Sequence, residues 1–396
     1  MSDANNFSRR GALLAAVGVL AVPRLTVASV SKGAWSAVDA KIAALVTERV
    51  VAGGQIAVAR HGALIYSKGF GSANLEMRSP ADTRTVFRFA SNTKQFTAAT
   101  ILLLQEAGVL SVEDRLGKYL PEVPRAADIT LHQMLNHVSG MGNYVATPRP
   151  ETMLQRARID YTPSELLDAV LKTTDPLYIA EPGEQWAYSN SAYVMLGSVI
   201  EKATGKPYKD VVSTLFKRAA LGSTAVDDGV EVVTGRASGY SRSDNAPSGF
   251  TNASYISMSY TGAAGSVRST CEDFCRWHAA LFGGRILKPE SLELMKEPAR
   301  LNNGELPTRI RGQGAEAKTV PVSYGLGLFI DDDPHGRSFS HGGGIQGFTS
   351  WVGTYPDTGV TIAYVTNTDE RAGTSEKIGA AMAGLRTSAT DAIFAT

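Results

Sequence analysis

Apolar and polar positions alternate along residues 55–60 and again along 63–69, with His61-Gly62 between the two runs. An alternation of period two is typical of half-buried strands, and a short glycine-containing link indicates a β-hairpin. Residues 96–104 are almost wholly apolar. This run predicts a buried helix, because it leaves no polar face for solvent.

Helix signals dominate the middle of the chain. Thr162-Pro163-Ser164-Glu165 is a capping box with proline at the first helical position, and it predicts a helix over 166–171. Further helices are expected over 191–203, 208–219 and 272–282.

Strand-like composition returns near the C-terminus. Strands are expected over 324–330, 338–341, 346–355 and 360–367, and a helix over 375–385. A turn at 356–359, Pro-Asp-Thr-Gly, joins the last two strands. The polar stretches 244–252 and 301–319 contain glycine and proline, which is typical of long surface loops.

Strands at both ends with helices between them predict an α/β plus α fold. We expect an antiparallel sheet that is flanked by helices and built from both chain ends, with an inserted mainly helical domain. The expected division is an export signal over 1–29, a discontinuous sheet domain over 36–90 and 265–390, and a helical domain over 91–264.

The N-terminus has the pattern of an export signal. Arg9 and Arg10 precede an apolar run over 11–22 and a small-residue stretch that ends near Ala28. The adjacent arginines resemble the twin-arginine signal, which predicts an exported, periplasmic protein. The run is too short to span a bilayer comfortably, so no stable membrane span is expected after leader removal. A disordered or lipid-facing N-terminal helix is the alternative.

Charge and composition exclude several function classes. The 39 basic and 38 acidic residues leave a net charge of +1 without long charged runs, which argues against a nucleic-acid partner. Cys271 and Cys275 are predicted to be free packing residues. His132 and His137 lack the glutamate of a metalloprotease helix, so neither a metal nor another cofactor is expected. No pattern specifies an oligomeric state.

Lys94 stands in the first turn of the apolar helix, where the helix dipole disfavours a cation. Ser91 lies three positions earlier, so its hydroxyl can share a helix face with the amine. Burial and the dipole both lower a lysine's pKa, which suits it to accept the proton of a serine nucleophile. A helix cap with a snorkelling lysine fits the same pair, and the spacing recurs at Ser29 and Lys32.

Tyr188-Ser189-Asn190 precedes another expected helix. A tyrosine beside a cationic lysine can be driven toward phenolate and can take the serine's proton. The Asn190 amide can hold a carbonyl or amide group of a substrate. A plain turn, with asparagine as the cap and tyrosine in packing, is the alternative.

His341-Gly342-Gly343-Gly344 lies at a predicted strand end, where glycines let another molecule approach the backbone. The N–H groups of Gly344 and Ser91 would form an oxyanion hole. A flexible hairpin turn with a surface histidine is the alternative. An ordinary α/β-hydrolase is excluded, because the chain contains no G-x-S-x-G elbow.

In this order and with these flanks, the three motifs resemble the class C β-lactamase and D-alanyl-D-alanine carboxypeptidase superfamily of serine hydrolases. That group includes D-aminopeptidases and β-lactamase-like carboxylesterases. The resemblance spans about residues 38–385 and is carried by the segments 87–96, 108–114, 129–140 and 265–270.

The resemblance implies a role for each motif residue. These roles are attack by Ser91, proton transfer by Lys94 and Tyr188, substrate binding by Asn190, His341 and Gly343, and oxyanion binding by the N–H groups of Ser91 and Gly344. Whether Lys94 or Tyr188 is the base in acylation stays open. His137 is expected to be a packed, hydrogen-bonded residue.

The third motif departs from that of the β-lactamases, which carry Lys-Thr-Gly where this chain has His341-Gly342-Gly343. A histidine that is largely neutral and a glycine without a hydroxyl weaken a carboxylate anchor. We therefore expect an exported serine hydrolase that cleaves amide bonds of non-standard or D-residue-containing peptides through an acyl-serine. An ester-cleaving or weakly β-lactam-hydrolysing enzyme is the alternative. A non-hydrolytic penicillin- or peptide-binding sensor is an alternative of another class.

Overall fold

The computed structural model describes residue 33 and residues 35–146, 150–311, 318–369 and 376–394. The predicted export signal over 1–29 lies outside the described residues. None of the helices within the described ranges is both long and apolar enough to cross a bilayer.

Helices and strands alternate irregularly along the chain. The α-helices of the described residues are α1 (Ser36–Thr47), α2 (Thr93–Glu106), α3 (Leu131–Leu135), α4 (Pro150–Arg156), α5 (Pro163–Thr173), α6 (Asn190–Thr204), α7 (Tyr208–Arg218), α8 (Met258–Gly265), α9 (Cys271–Phe282), α10 (Pro289–Lys296) and α11 (Glu376–Phe394). The strands are β1 (Gly53–Arg60), β2 (Ala63–Asn74), β3 (Ser79–Pro80), β4 (Phe87–Ala90), β5 (Ala225–Val226), β6 (Tyr240–Arg242), β7 (Phe250–Asn252), β8 (Val267–Ser269), β9 (Thr308–Arg311), β10 (Lys318–Pro321), β11 (Phe329–Asp333), β12 (Gly336–Ile345), β13 (Phe348–Tyr355), β14 (Val360–Thr366) and β15 (Thr368–Asp369).

A seven-stranded sheet in the order β11-β12-β13-β14-β1-β2-β3 forms the centre of the fold. Every neighbouring pair in it is antiparallel, and β1 pairs with β14, so the two ends of the chain meet in the middle of the sheet. This confirms the predicted fold class. The division into separate domains stays a prediction.

Helices cover both faces of the sheet. On one face, α1 and α11 pack together over an apolar cluster that includes Val38, Ile56 and Leu385. On the other face, α9 lies against β1 and β14 and joins the larger core around α2. Both predicted free cysteines, Cys271 and Cys275, are buried thiols in α9.

Helix α2, which follows Ser91, is held inside the protein. It packs against α6, α7, α8 and α10, and all of its residues from Thr93 to Leu102 are buried. Phe96 at its centre contacts the rings of Phe216, Phe274 and Trp277. Burial on every side agrees with the absence of a polar face in its sequence.

A short three-stranded sheet, β4-β8-β5, leads into this helix. Asp227, whose side chain is fully buried, accepts from Arg88 of β4 at 2.9 Å and from Arg236 at 2.8 Å, and lies 3.5 Å from Arg268 of β8. The buried carboxylate therefore ties the strand before Ser91 to its neighbour.

The structure confirms the N-terminal hairpin and the capping box of α5, in which Thr162 accepts from the Glu165 N–H. The expected strand over 324–330 is wrong over most of its length, because β11 begins only at Phe329. Gly327 turns the backbone there with φ +78°, close to the Lys94 carbonyl. The expected loop over 301–319 contains β9 and the start of its partner β10, and the expected loop over 244–252 contains β7.

Candidate active site

Ser91 occupies a sharp turn between β4 and α2. Ala90, directly before it, has φ +49°, a left-handed conformation that costs an alanine about 1–3 kcal/mol. The turn is fixed by Thr93, whose hydroxyl donates to the Ala90 carbonyl at 2.7 Å and accepts from the Val267 N–H at 2.9 Å. The strained turn places the serine hydroxyl at the mouth of a cavity.

Lys94 is fully buried, and its amine lies among three oxygen atoms. Nζ is 2.8 Å from Asn190 Oδ1, 2.8 Å from the Ala264 carbonyl oxygen and 3.2 Å from Ser91 Oγ. Burial holds the pKa of this lysine well below its ordinary value of 10.5. A neutral amine has two N–H donors for Asn190 and Ala264, and its lone pair is then left for the proton of Ser91.

Tyr188 lies beside Ser91 and Lys94. Its hydroxyl is hydrogen-bonded to Ser91, and its ring centroid lies 4.8 Å from Lys94 Nζ. Burial raises the pKa of Tyr188, while the Ser91 hydrogen bond opposes this in part. The shift is opposite to the phenolate expected from a cationic lysine, so Tyr188 is protonated near neutral pH.

Asn190 is the first residue of α6, and Ser189 caps this helix by accepting from the Ala192 N–H at 3.0 Å. The cap fixes the asparagine so that Oδ1 accepts from Lys94 and Nδ2 donates to Asn143 Oδ1 at 3.3 Å. The Asn190 oxygen is therefore held by the Lys94 amine.

His341 is buried beneath the site and does not line the cavity at Ser91. Nδ1 lies 2.5 Å from the Gly342 carbonyl, which can only accept, so Nδ1 carries the proton. Nε2 then accepts from the Tyr324 hydroxyl at 3.0 Å. Burial, together with the nearby Lys94, lowers the pKa of His341 to about 3. Its contact with a substrate stays a prediction.

Gly343 and Gly344 have different surroundings. A Cβ on Gly343 would lie 2.2 Å from the Phe89 carbonyl oxygen, so only a glycine lets β12 pass this close to β4. A Cβ on Gly344 would meet nothing within 4 Å, and Gly344 borders the cavity with Ser91. Gly343 thus lets β12 pack closely against β4, whereas Gly344 faces the open cavity beside Ser91.

The cavity at Ser91 has a volume of about 250 Å³. Its lining is mainly apolar and aromatic, and none of the described lining residues is charged: Ala90, Ser91, Tyr144, Val145, Met153, Asn190, Ile256, Tyr260, Thr261, Ala264, Gly265, Gly344, Ile345 and Gln346. Such a lining suits an uncharged, apolar group of a substrate.

His137 lies in an aromatic cluster behind Tyr188, with 4.4 Å between the two ring centroids. Nδ1 accepts from the Ser189 N–H at 3.2 Å, and burial holds the pKa of His137 well below its usual range. A neutral, packed histidine that supports the backbone beside Asn190 agrees with the expected structural role.

Several groups at the site were not predicted from sequence patterns. Ala264 contributes only its carbonyl, which no side-chain pattern reveals. Asn143 and Tyr260 carry recognisable side chains, but neither belongs to one of the three motifs. Among the described residues, no group of three potential metal ligands comes together.

Comparison with known proteins places this geometry in a family. A model of the Beta-lactamase family matches residues 38–385. The chain belongs to this family. The match confirms the resemblance to the β-lactamase-related serine hydrolases and shows that the protein is an enzyme of that class, a serine hydrolase.

Relatives of this Beta-lactamase family member have several activities. Penicillin-binding protein 4* of Bacillus subtilis is 30% identical over 80% of this chain and 68% of its own length. Esterase EstB of Burkholderia gladioli is 32% identical, over 48% of this chain and 53% of its own length. The structure of a D-stereospecific amidohydrolase from Streptomyces sp. is 30% identical with a TM-score of 0.69, covering 87% of this chain and 97% of that one. The structure of D-amino acid amidase from Ochrobactrum anthropi SV3, complexed with L-phenylalanine amide, is 25% identical with a TM-score of 0.73. The match covers 90% of this chain and 99% of the amidase chain.

The contrast between Gly343 and Gly344 is testable. Gly343→Ala places a methyl group against the Phe89 carbonyl, and we expect it to lower the free energy of unfolding by about 1–3 kcal/mol. Gly344→Ala, the matched control, has room for its methyl group and should change stability by less than about 0.5 kcal/mol. Thermal unfolding of both variants measures the difference. Equal stability of the two would contradict the close packing of β12 on β4.

Proposed function

We propose that this protein is an exported serine hydrolase that cleaves amide bonds of non-standard or D-residue-containing peptides through an acyl-Ser91 intermediate. The observation that carries the chemistry is the buried Lys94 amine, 3.2 Å from Ser91 Oγ, with a pKa lowered by burial. The amide preference is supported by the D-stereospecific amidohydrolase and the D-amino acid amidase among the similar structures. Export is supported by the arginine pair and apolar run at the N-terminus.

In this proposal, Ser91 Oγ attacks the substrate carbonyl carbon while its proton passes to the neutral Lys94 amine. The developing oxyanion accepts from the N–H groups of Ser91 and Gly344. Collapse of the tetrahedral species breaks the bond to the leaving nitrogen, which takes a proton from the Lys94–Tyr188 pair. Asn190 keeps the amine oriented through Oδ1 and, because it lines the cavity, contacts the substrate amide. Water then attacks the acyl carbon, the bond to Ser91 Oγ breaks, the acyl group leaves as a carboxylic acid, and a water proton returns to Ser91 Oγ by way of Lys94.

Lys94 is favoured over Tyr188 as the base in acylation. The lysine has its pKa lowered, so its neutral form is accessible, whereas burial raises the pKa of the tyrosine. A protonated phenol 4.8 Å (ring centroid) from the amine is placed instead to pass a proton toward the leaving group.

Ester cleavage is the second candidate function. The described lining of the catalytic cavity contains no charged side chain that could hold a terminal ammonium or carboxylate of a peptide. EstB, a relative, is named as an esterase. An uncharged acyl ester needs no such anchor, and its leaving group needs less help from a proton donor. Weak β-lactam hydrolysis by the same acyl-serine route is a variant of this candidate.

Removal of the nucleophile tests the mechanism. Ser91→Ala should abolish both turnover and the mass gained on treatment with a serine-reactive phosphonate, measured by intact-mass spectrometry and peptide mapping. Lys94→Ala and Tyr188→Phe should each lower kcat toward the Ser91→Ala level, and the double variant should lose little more, because the groups act as a unit. Normal turnover by Ser91→Ala would rule out the proposed enzyme.

A substrate panel ranks the candidate functions. We expect kcat/KM to be highest for amides of D-residues with apolar side chains, with short acyl esters next and a chromogenic cephalosporin last. The corresponding L-residue amides are the matched control for stereochemistry. A higher kcat/KM for esters than for every amide would favour the esterase. Stable labelling of Ser91 without turnover would favour the non-hydrolytic sensor.

The pH profile tests the base. An ammonium has no lone pair, so kcat/KM should fall as the pH drops through the lowered pKa of Lys94. Because that pKa lies well below the ordinary lysine value of 10.5, kcat/KM should reach its plateau at a pH well below 10.5. His341, with a pKa of about 3, titrates too low to cause this acid limb. Asn190→Asp sets a carboxylate beside the amine, raises the lysine pKa and should move the limb upward by about 1–3 pH units. If the acid limb of Asn190→Asp lay at the same pH as that of the wild type, Lys94 would not be the group that titrates.

A further inference from the structure

A second cavity, of about 440 Å³, lies behind α8. The helix separates it from the catalytic cavity, so one element forms a wall of both. Tyr260, Thr261, Ala264 and Gly265 line the catalytic cavity, whereas Met258, Ser259, Gly262, Ala263 and the adjoining Ser266 line the second one.

The interior of the second cavity is apolar. Leu166, Val194 and Met258, all buried, form its deep surface. The one buried charge at its lining, Asp227, is already neutralised by its arginine partners. Around the rim, charges of both signs occur, namely Glu201, Lys209 and Asp228. Charge is thus confined to the rim and to the paired Asp227, and the apolar interior favours an uncharged ligand.

One polar group in this cavity lacks a partner. The Ser266 hydroxyl is buried, with its residue only 1% exposed, and it has no hydrogen-bond partner among the described residues. A buried hydroxyl without a partner costs about 1–3 kcal/mol. Because the Ser266 oxygen has almost no accessible surface, a ligand with a hydrogen-bond acceptor would remove that cost after the side chain rotates toward the cavity.

We propose that the second cavity binds an uncharged, mainly apolar small molecule with one hydrogen-bond acceptor for Ser266, and that its occupancy changes catalysis through α8. The effect on catalysis rests on the proposed function, whereas the binding site does not. The volume lies within the range of about 300–1,000 Å³ that is typical of ligand sites.

Two hydrogen bonds, donated by α2 side chains to α8 carbonyls, link the second cavity to the catalytic site. The Ala264 carbonyl accepts from Lys94 Nζ, and the Ala263 carbonyl accepts from Thr97 Oγ1 at 2.7 Å. Thr97 Oγ1 also lies 2.8 Å from the Tyr208 hydroxyl, and both Ala263 and Tyr208 line the second cavity. A ligand there contacts residues that hold α2 in place.

The backbone of α8 provides the element that can respond. Gly262 has φ +45° and ψ −141° inside the helix, so the hydrogen-bonded helix is interrupted just before Ala263 and Ala264. A ligand that binds one arrangement of this kink more tightly than another shifts α8 toward it. The position of the Ala264 carbonyl, and with it the Lys94 amine, would follow.

Binding of a fluorescent, uncharged naphthyl ketone (6-propionyl-2-dimethylaminonaphthalene) to the full chain tests the site. We expect one saturable site that is retained in Ile345→Trp, which fills the catalytic cavity. Ser198→Phe, which fills the second cavity from α6, should weaken binding by about ten-fold or more. Ser213→Phe is the matched control, a half-buried serine on α7 that does not line the cavity, and it should bind normally.

The hydroxyl and the link to catalysis need separate measurements. Ser266→Ala should weaken the ketone by roughly 2- to 13-fold, the loss of one hydrogen bond, and should leave 2-ethylnaphthalene, which has no acceptor, unaffected. At saturation, the ketone should change kcat/KM by about five-fold or more in the wild type and in Ser213→Phe, but not in Ser198→Phe.

Three results would overturn the proposal. The site is refuted by an absence of saturable binding, or by binding that Ile345→Trp removes and Ser198→Phe leaves intact. The link to catalysis is refuted by saturation without any change in kcat/KM. If the protein turned over no substrate at all, the proposed function would fail, while the binding measurements would still decide whether the second site exists.

Discussion

The chemistry proposed for this protein depends on the burial of one amine. Lys94 has no contact with water, and its neighbours within hydrogen-bond distance are two carbonyl-type oxygens and the Ser91 hydroxyl. Because no carboxylate of the described residues is hydrogen-bonded to this amine, desolvation favours the neutral form. The same three contacts aim the lone pair at the nucleophile, so the cost of burying a lysine is coupled to the activation of a serine.

Each contact of the amine comes from a different part of the chain. Ser91 lies in the turn after β4, Asn190 begins α6, and Ala264 lies near the end of α8. The strained backbone at Ala90 and the cap at Ser189 hold two of these positions locally. The antiparallel sheet brings β12, with Gly343 and Gly344, against the same turn from the opposite end of the chain.

Helix α8 gives the site an unusual dependence on its surroundings. It is short, contains a glycine with left-handed φ, and carries the carbonyl that holds Lys94. One side of it borders the cavity at Ser91, and the other borders the apolar second cavity. The carbonyl that holds the Lys94 amine therefore lies on a helix shared by both cavities.

Local patterns in the sequence were sufficient for the elements that depend on near neighbours. Period-two alternation predicted the hairpin of β1 and β2, the apolar run predicted the buried α2, and the capping box predicted α5. The spacing of Ser91 and Lys94 also predicted their contact, because one helical turn separates them. The order of the three motifs was enough to indicate the family.

Only the tertiary structure decided what depends on packing between distant segments. It buried His341 beneath the site, gave Gly343 a packing role against Phe89, and raised rather than lowered the pKa of Tyr188. It also supplied the Ala264 carbonyl, which has no side-chain signature. Burial and backbone position are properties of the whole fold, since they depend on which segments meet, and no window of sequence contains that information.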